Sequence, residues 1–331
     1  MKLRTVPARA RLAAAARPGV AWWRAAARRG PVVASLAAAA LLAPGGGAAA
    51  QSIEPRSWSN APVGVNFLII GAAWTQGALA VDTNLPAVQP EVRTVNPFVS
   101  YVRTLDLWGK SAKFDVAVPY TWLDGTASFR SRSSERTVNG FGDPTARLSV
   151  NFYGAPALTL PEFRAWEQDV IVGASLQVSA PAGQYDSSKL INIGTHRWSF
   201  KPEVGVSKAL GSWTLEFSTA VAFYTTNEDF FGGISRAQAP VVSLQGHVIR
   251  NFSSGIWGSL DATWFGGGRT TLDGTRSEDR QQNWRAGATL VFPVDPHNSI
   301  KLYASRGTSA RTGNNFDLAG VAWQVLWGAG L

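Results

Sequence analysis

Between Ala112 and Trp122 every second position is apolar or aromatic, and Lys113, Asp115 and Thr121 stand between them. A strict period of two is what a strand shows when its two faces meet different media. The pattern recurs along most of the chain. It predicts strands at Val63–Gln76, Val92–Thr104, Ala112–Trp122, Phe141–Tyr153, Val170–Ala180, His196–Lys208, Trp213–Thr225, Val241–Phe252, Ile256–Phe265, Gln282–Val294, Ser299–Ser309 and Asp317–Trp327. Two examples show how clean it is. Val172, Ala174, Leu176 and Val178 oppose Ser175, Gln177 and Ser179; Trp198, Phe200, Val204 and Val206 oppose Arg197, Ser199, Lys201, Glu203 and Ser207. Only Phe67–Ile70, in the first strand, lacks alternation and leaves its facing open.

Short and long connections take turns. Asp106–Lys110, Leu210–Ser212, Ser253–Gly255 and Asp295–Asn298 are tight, whereas 77–90, 124–139, 181–195, 227–240 and 266–280 are long and polar. This is the rhythm of an up-and-down barrel with short periplasmic turns and long outer loops. Gly154–Gln168 breaks it: a connection on the turn side that is long, with Leu160–Trp166 predicted as a short amphipathic helix at the inner membrane surface. No apolar run in the remainder of the chain reaches the roughly 18 residues of a spanning helix, so a closed barrel is the remaining way to cross lipid. The expected fold is all-β: a transmembrane antiparallel barrel of about twelve strands, an even number that leaves both termini on the periplasmic side. Trp58, Trp108, Trp122, Trp198, Trp213, Trp257, Trp264, Trp284 and Trp327 fall near strand ends, which predicts aromatic girdles at the two interfaces. A soluble sandwich would also alternate. The leader described next, together with so many strands of about ten residues, favours the membrane.

Composition changes the picture at one point. The formal charge of +9 suggests a nucleic-acid partner until its location is considered. Residues 1–50 hold eight of the 31 Lys and Arg and none of the 22 acids, so the rest carries 31 − 8 − 22 = +1, and no nucleic-acid partner is expected. The leader has a basic region ending at Arg28-Arg29, an apolar run Val32–Ala43 and small residues before Gln51. It reads as a cleaved signal peptide, cut after Ala50, using the general secretory route rather than the twin-arginine one. Met1 is the sole methionine and the basic region is long, so Val20 is a candidate true start. The domains expected are then a signal peptide 1–50, a polar periplasmic tail 51–62 and a barrel 63–331. With no cysteine, no disulfide contributes.

The inward parity collects Lys113, Asp115, Arg147, Gln177, Arg197, Lys201, Glu203, Glu216, Tyr224, His247, Asp261, Arg285, Lys301 and Tyr303 as the candidate lumen lining. Arg197, Lys201 and Glu203 on one strand, with Tyr224 on the next, are expected to form one polar wall that either meets solute or braces the barrel. His196, His247 and His297 have no metal-ligand spacing, and no metal or cofactor is expected. A competing enzymatic reading centres on His247 with Ser243 and Ser259. Barrel lipases present their serine at the lipid face, whereas these serines have inward parity. Gly266-Gly267-Gly268-Arg269-Thr270 lacks the Lys and the following helix of a phosphate loop and reads as an outer loop. A structural or adhesive barrel acting through its loops is the third reading.

Three stretches carry a family resemblance: Gly140-Phe141-Gly142-Asp143-Pro144, Ile193-Gly194-Thr195-His196-Arg197-Trp198-Ser199-Phe200-Lys201-Pro202-Glu203, and Glu228-Asp229-Phe230-Phe231-Gly232-Gly233. In these, and over nearly all the chain after the leader, it resembles the MetA-pathway phenol-degradation family of outer-membrane proteins. The resemblance implies a barrel in the outer membrane of a Gram-negative bacterium that passes small aromatic or hydrophobic solutes passively. The implied partners are outer-membrane lipid and lipopolysaccharide, the barrel assembly machinery, periplasmic chaperones and the small-molecule solute, with the barrel a monomer. Gly328-Ala329-Gly330-Leu331 after Trp327 departs from the terminal aromatic residue that the assembly machinery reads.

Overall fold

The computed structural model describes residues 53–78, 87–129, 132–311 and 315–331. The leader, its cleavage site and the Val20 start lie outside them. The wall strands are β1 (Val65–Ala78), β2 (Ala87–Leu107), β3 (Lys110–Phe129), β4 (Arg132–Phe141), β5 (Thr145–Tyr153), β6 (Val170–Ser179), β7 (Ser199–Leu210) and β8 (Trp213–Tyr224). Then, after two short strands β9 (Asn227–Phe230) and β10 (Ile234–Gln238), come β11 (Val241–Asn251) and β12 (Trp257–Gly267). Two more short strands, β13 (Thr270–Leu272) and β14 (Thr275–Arg276), precede β15 (Gln281–Pro293), β16 (Asn298–Ala310) and β17 (Asn315–Gly328).

Neighbours along the chain pair antiparallel, and β17 returns to β1 in the register Val65↔Gly328, closing the wall. The sheet has 13 strands, of which β4 and β5 share one wall position against β3, so the barrel is twelve-stranded. Closure pairs both edges of the wall strands, the condition for a sheet to sit in lipid; β4, in the extension of β3 toward the loops, pairs on one side only among the described residues. Alternation then sorts the side chains. Val95, Val118, Leu176, Leu215, Leu244, Leu260 and Val321 stand on the outer face, with Val118 40% and Leu176 47% exposed. An apolar band round a whole molecule has one comfortable solvent, hydrocarbon.

Several expectations are corrected. The predicted loop 124–139 is mostly strand, because β3 and β4 run on as a hairpin past Trp122. The loops 227–240 and 266–280 pair with each other, β9, β10, β13 and β14 forming a small four-stranded sheet at the loop end. Of the tryptophans, Trp122, Trp198, Trp213, Trp284 and Trp327 are outward and exposed, but Trp58 and Trp257 are buried inside. Trp257 shares the inward parity of Ser259 and Asp261. Trp58 lies on Gly173 and Gly205, where a Cβ at Gly173 would come within 2.5 Å of the indole.

The helix of the long turn-side connection forms as α1 (Leu160–Ala165), with Pro161 in its first turn, where it interrupts no hydrogen bond. The Glu162 carboxylate accepts from the Thr159 N–H (2.8 Å) and hydroxyl (2.7 Å), which holds its pKa below the usual range. Its position differs from the expectation of a membrane-surface helix. Phe163 packs with Ala61, Phe67, Val102 and Leu326, inward residues of β1, β2 and β17 and of the segment before β1. Because α1 connects β5 to β6, it reaches those strands only by crossing the turn-end mouth of the barrel.

Candidate functional site

Three to six positions in from the turns, charges recur round the inner wall: Lys113 and Asp115 on β3, Arg147 on β5, Glu216 on β8, His247 on β11, Asp261 on β12 and Lys301 on β16. Two further charges arrive from an unexpected source. Residues 53–62 were expected as a periplasmic tail; they lie inside the barrel, with Glu54, Arg56, Trp58 and Asn60 buried. Arg147 bridges Glu54 and Asp115, at 2.9 Å from the latter. Glu216 accepts the Arg56 N–H at 2.7 Å, and the Arg56 guanidinium bonds Asn251 and lies 4.6 Å over the Trp257 ring. Lys113 donates to the carbonyls of Ser57 (2.6 Å) and Ser59 (3.2 Å), and Asn151 to that of Trp58 (3.1 Å).

The physical reason the segment enters is visible in this list. Buried charges are tolerated only when paired and hydrogen-bonded; the wall pairs Arg147 with Asp115 and His247 with Asp261, but it supplies neither the carbonyls that Lys113 bonds nor the N–H that Glu216 accepts. The segment adds one acid and one cation, Glu54 and Arg56, to three of each on the wall, and what it contributes is bonds: Glu54 to Arg147, the Arg56 N–H to Glu216, and the Ser57 and Ser59 carbonyls to Lys113. Nothing in the period-two pattern marks an irregular segment as an inward one. The available signal was its own charge pair, Glu54 and Arg56, beside Trp58.

The rest of the inner wall is of another kind. From β16 through β17 and β1 to β2 the inward side chains include Tyr303, Ala322, Leu326, Phe67, Ile69, Ala73, Phe98 and Val102, one packed cluster, with Lys301, Gln324 and Ser100 set among them. Toward the loop end it gives way to hydroxyls and amides: Thr75 and Thr94 bond at 2.6 Å, and Asn96 joins Thr94 to Thr121. The lumen is thus divided lengthwise into a charged arc, occupied by residues 53–60, and an apolar arc.

Nearer the loop end the other expected residues pair among themselves. Lys201 and Glu203 lie 3.5 Å apart with Gln177 opposite Lys201 on β6; Arg197 sits 4.3 Å over the Tyr224 ring. Arg285 donates to Ser305 at 2.8 Å and stacks 3.9 Å over Phe316. The loop 180–198 turns inward above them, where Ile191 packs on Val92 and Leu123. Asp143, in the break between β4 and β5, fixes that loop by accepting from Gly183 N–H (2.9 Å), Thr195 N–H (2.8 Å) and the Thr195 hydroxyl (2.6 Å). A Cβ at Gly140 would come within 2.7 Å of Gln184. The first two of the three family stretches, at 140–144 and 193–203, are therefore the two halves of one clasp.

His247 Nδ1 lies 2.8 Å from Asp261, and the Ser259 hydroxyl donates to the other Asp261 oxygen at 3.1 Å. Histidine and serine meet through the carboxylate rather than directly. Ser243 lies four positions along β11 from His247. A nucleophile needs its base within hydrogen-bond reach, and here the hydroxyl proton is directed to the acid instead. His196 stacks on Tyr185 in the loop-end clasp and His297 sits in a turn.

The family model described as "Putative MetA-pathway of phenol degradation" matches residues 75–325. Among solved structures, the chain is similar to the COG4313 outer membrane channel from Pseudomonas putida F1, at 16% identity and a TM-score of 0.69, over 83% of this chain and 100% of that one. It is also similar to the beta domain of the Bordetella autotransporter Brka (11%, TM-score 0.48, 80% and 100% covered) and to the KdgM porin (8%, 0.41, 78% and 98%). No curated protein sequence matches. At such identities the likeness is one of fold.

Proposed function

For a chain that belongs to the family described as "Putative MetA-pathway of phenol degradation", we propose a passive outer-membrane channel for small solutes with an aromatic or other apolar part. The observation that carries this is the lengthwise division of the lumen. A pore built only for sugars or ions has no need of an apolar cluster on its inner wall, and Phe67, Ile69, Phe98 and Leu326 form one, packed together and 1–4% exposed. An amphipathic solute seats its apolar part by exchanging contacts with that cluster while its polar end stays on the charged arc. The turn end then faces the periplasm and the loop end the exterior, as in barrels of this class.

The reading is tested by swelling of proteoliposomes in phenyl β-glucoside and in the smaller methyl β-glucoside, neither of which crosses lipid readily. The phenyl compound is expected to enter at least as fast as the methyl one, reversing the order set by size. Rates that fall with size, as in a plain sieve, would remove the apolar arc from the pathway. A complete lack of protein-dependent swelling would return the structural or adhesive reading.

A further inference from the structure

We propose that Lys301 and Tyr303 form a binding site for the carboxylate of a small aromatic acid, at the seam between the charged and apolar arcs. The two residues are inward neighbours on β16, 3% and 6% exposed, with the Lys301 Nζ 5.7 Å from the Tyr303 ring centroid. Neither the ammonium nor the phenol oxygen has a hydrogen-bond partner among the described residues. The acids on that side are engaged elsewhere, Asp261 by His247 and Ser259, and Glu54 by Arg147. An ammonium and a phenol O–H on neighbouring inward positions are thus both buried with no acceptor among the described residues, and a buried donor left so calls for one from elsewhere.

The chemistry of that acceptor follows from the surroundings. One cation and one neutral donor match a single negative charge. Asp261 and Glu54 stand nearby and repel any anion, a phosphate dianion about twice as strongly as a monocarboxylate, so the site favours the lower charge. On the other side the phenol end of Tyr303 rests over Gly320 of β17, where any Cβ would overlap it, and the ring belongs to the cluster of Ile69, Ala73, Phe98 and Ala322. A planar ring attached to the carboxylate extends over this apolar wall. Both ends of an aromatic acid are therefore satisfied at once, which neither acetate nor a neutral aromatic alcohol achieves.

The site deepens the channel reading and rests on it, but its occupancy is an equilibrium property measured without transport. The purified full chain in detergent is titrated with 4-fluorobenzoate and 4-fluorobenzyl alcohol, followed by fluorine NMR, with acetate as competitor. The benzoate is expected to bind about tenfold tighter than the alcohol, the worth of one charge-assisted hydrogen bond. Lys301→Met should erase that preference, Tyr303→Phe should weaken it several-fold, and acetate should compete poorly. Both variants replace a buried polar end by apolar atoms of similar shape, and heat-dependent gel mobility reports that they remain folded. An undiminished preference in the variants overturns the site, as does equal binding of acid and alcohol by the parent. Strong competition by acetate overturns the aromatic part. A parent that binds the acid yet passes no solute keeps the site and removes the channel reading; flux without selective binding does the reverse.

Discussion

Deleting residues 51–60 is expected to raise the single-channel conductance several-fold, because this stretch includes the residues that occupy the charged arc of the lumen. The stretch from Ile53, against Gly287 on β15, to Trp58, against Gly205 on β7, spans the interior, with Glu54 and Arg56 bonded to the wall between them. Its removal strands Glu216 and Lys113. In a dry interior, breaking a buried pair costs about 3–5 kcal/mol, but here water replaces the segment and rehydrates both groups. The wall, held by its closed ladder of backbone hydrogen bonds, should therefore persist. A milder variant, Arg56→Ala with Trp58→Ala, should give intermediate conductance with frequent transitions between levels as the segment leaves and returns. Planar-bilayer recording checks both. A deletion variant that folds and conducts as the parent does would mean that the path, if one exists, avoids this part of the lumen.

The second large effect lies on the other face. Val118→Arg and Leu176→Arg should each block assembly, since an arginine facing lipid at mid-bilayer costs about 2–4 kcal/mol. Ser175→Arg, one position from Leu176, should assemble because its side chain points inward and meets Glu203, its partner across β6 and β7. Insertion into lipid vesicles, scored by heat-dependent gel mobility, separates the two outcomes. Equal tolerance at Leu176 and Ser175 would contradict the placement of the membrane.

How much of this was legible in the sequence depends on which media a residue separates. Where a strand divides lipid from charge, as at Lys113, Phe114 and Asp115, parity alone assigns each side chain. At Phe67–Ile70 the same rule fails for a physical reason. Leu68 and Ile70 face outward while Phe67 and Ile69 line the apolar arc, so apolar meets apolar and alternation vanishes. The stretch that looked uninformative was marking the unusual part of the lumen. Parity also places Trp257 inside, although its position near a strand end suggests a girdle. Trp58 and Phe163 are different. They belong to irregular or short helical segments whose destination is set by partners far along the chain, Gly205 and Leu326, and local periodicity carries no such information. The small sheet of the outer loops escaped for a related reason, its strands of two to five residues being too short to show a period.

The central claim is that the apolar arc is a surface along which solute moves, and Phe98 tests it most directly. Its ring lies over Gly71 of β1, where a Cβ would come within 2.7 Å of it, and it packs on the inner side of the wall beside Ile69 and Ala73, 4% exposed. In the proteoliposome assay, Phe98→Ser should slow phenyl β-glucoside while leaving methyl β-glucoside unchanged or slightly faster, so that the ratio of the two rates falls. If both rates change together, or neither changes in a folded barrel, the apolar arc is not the path.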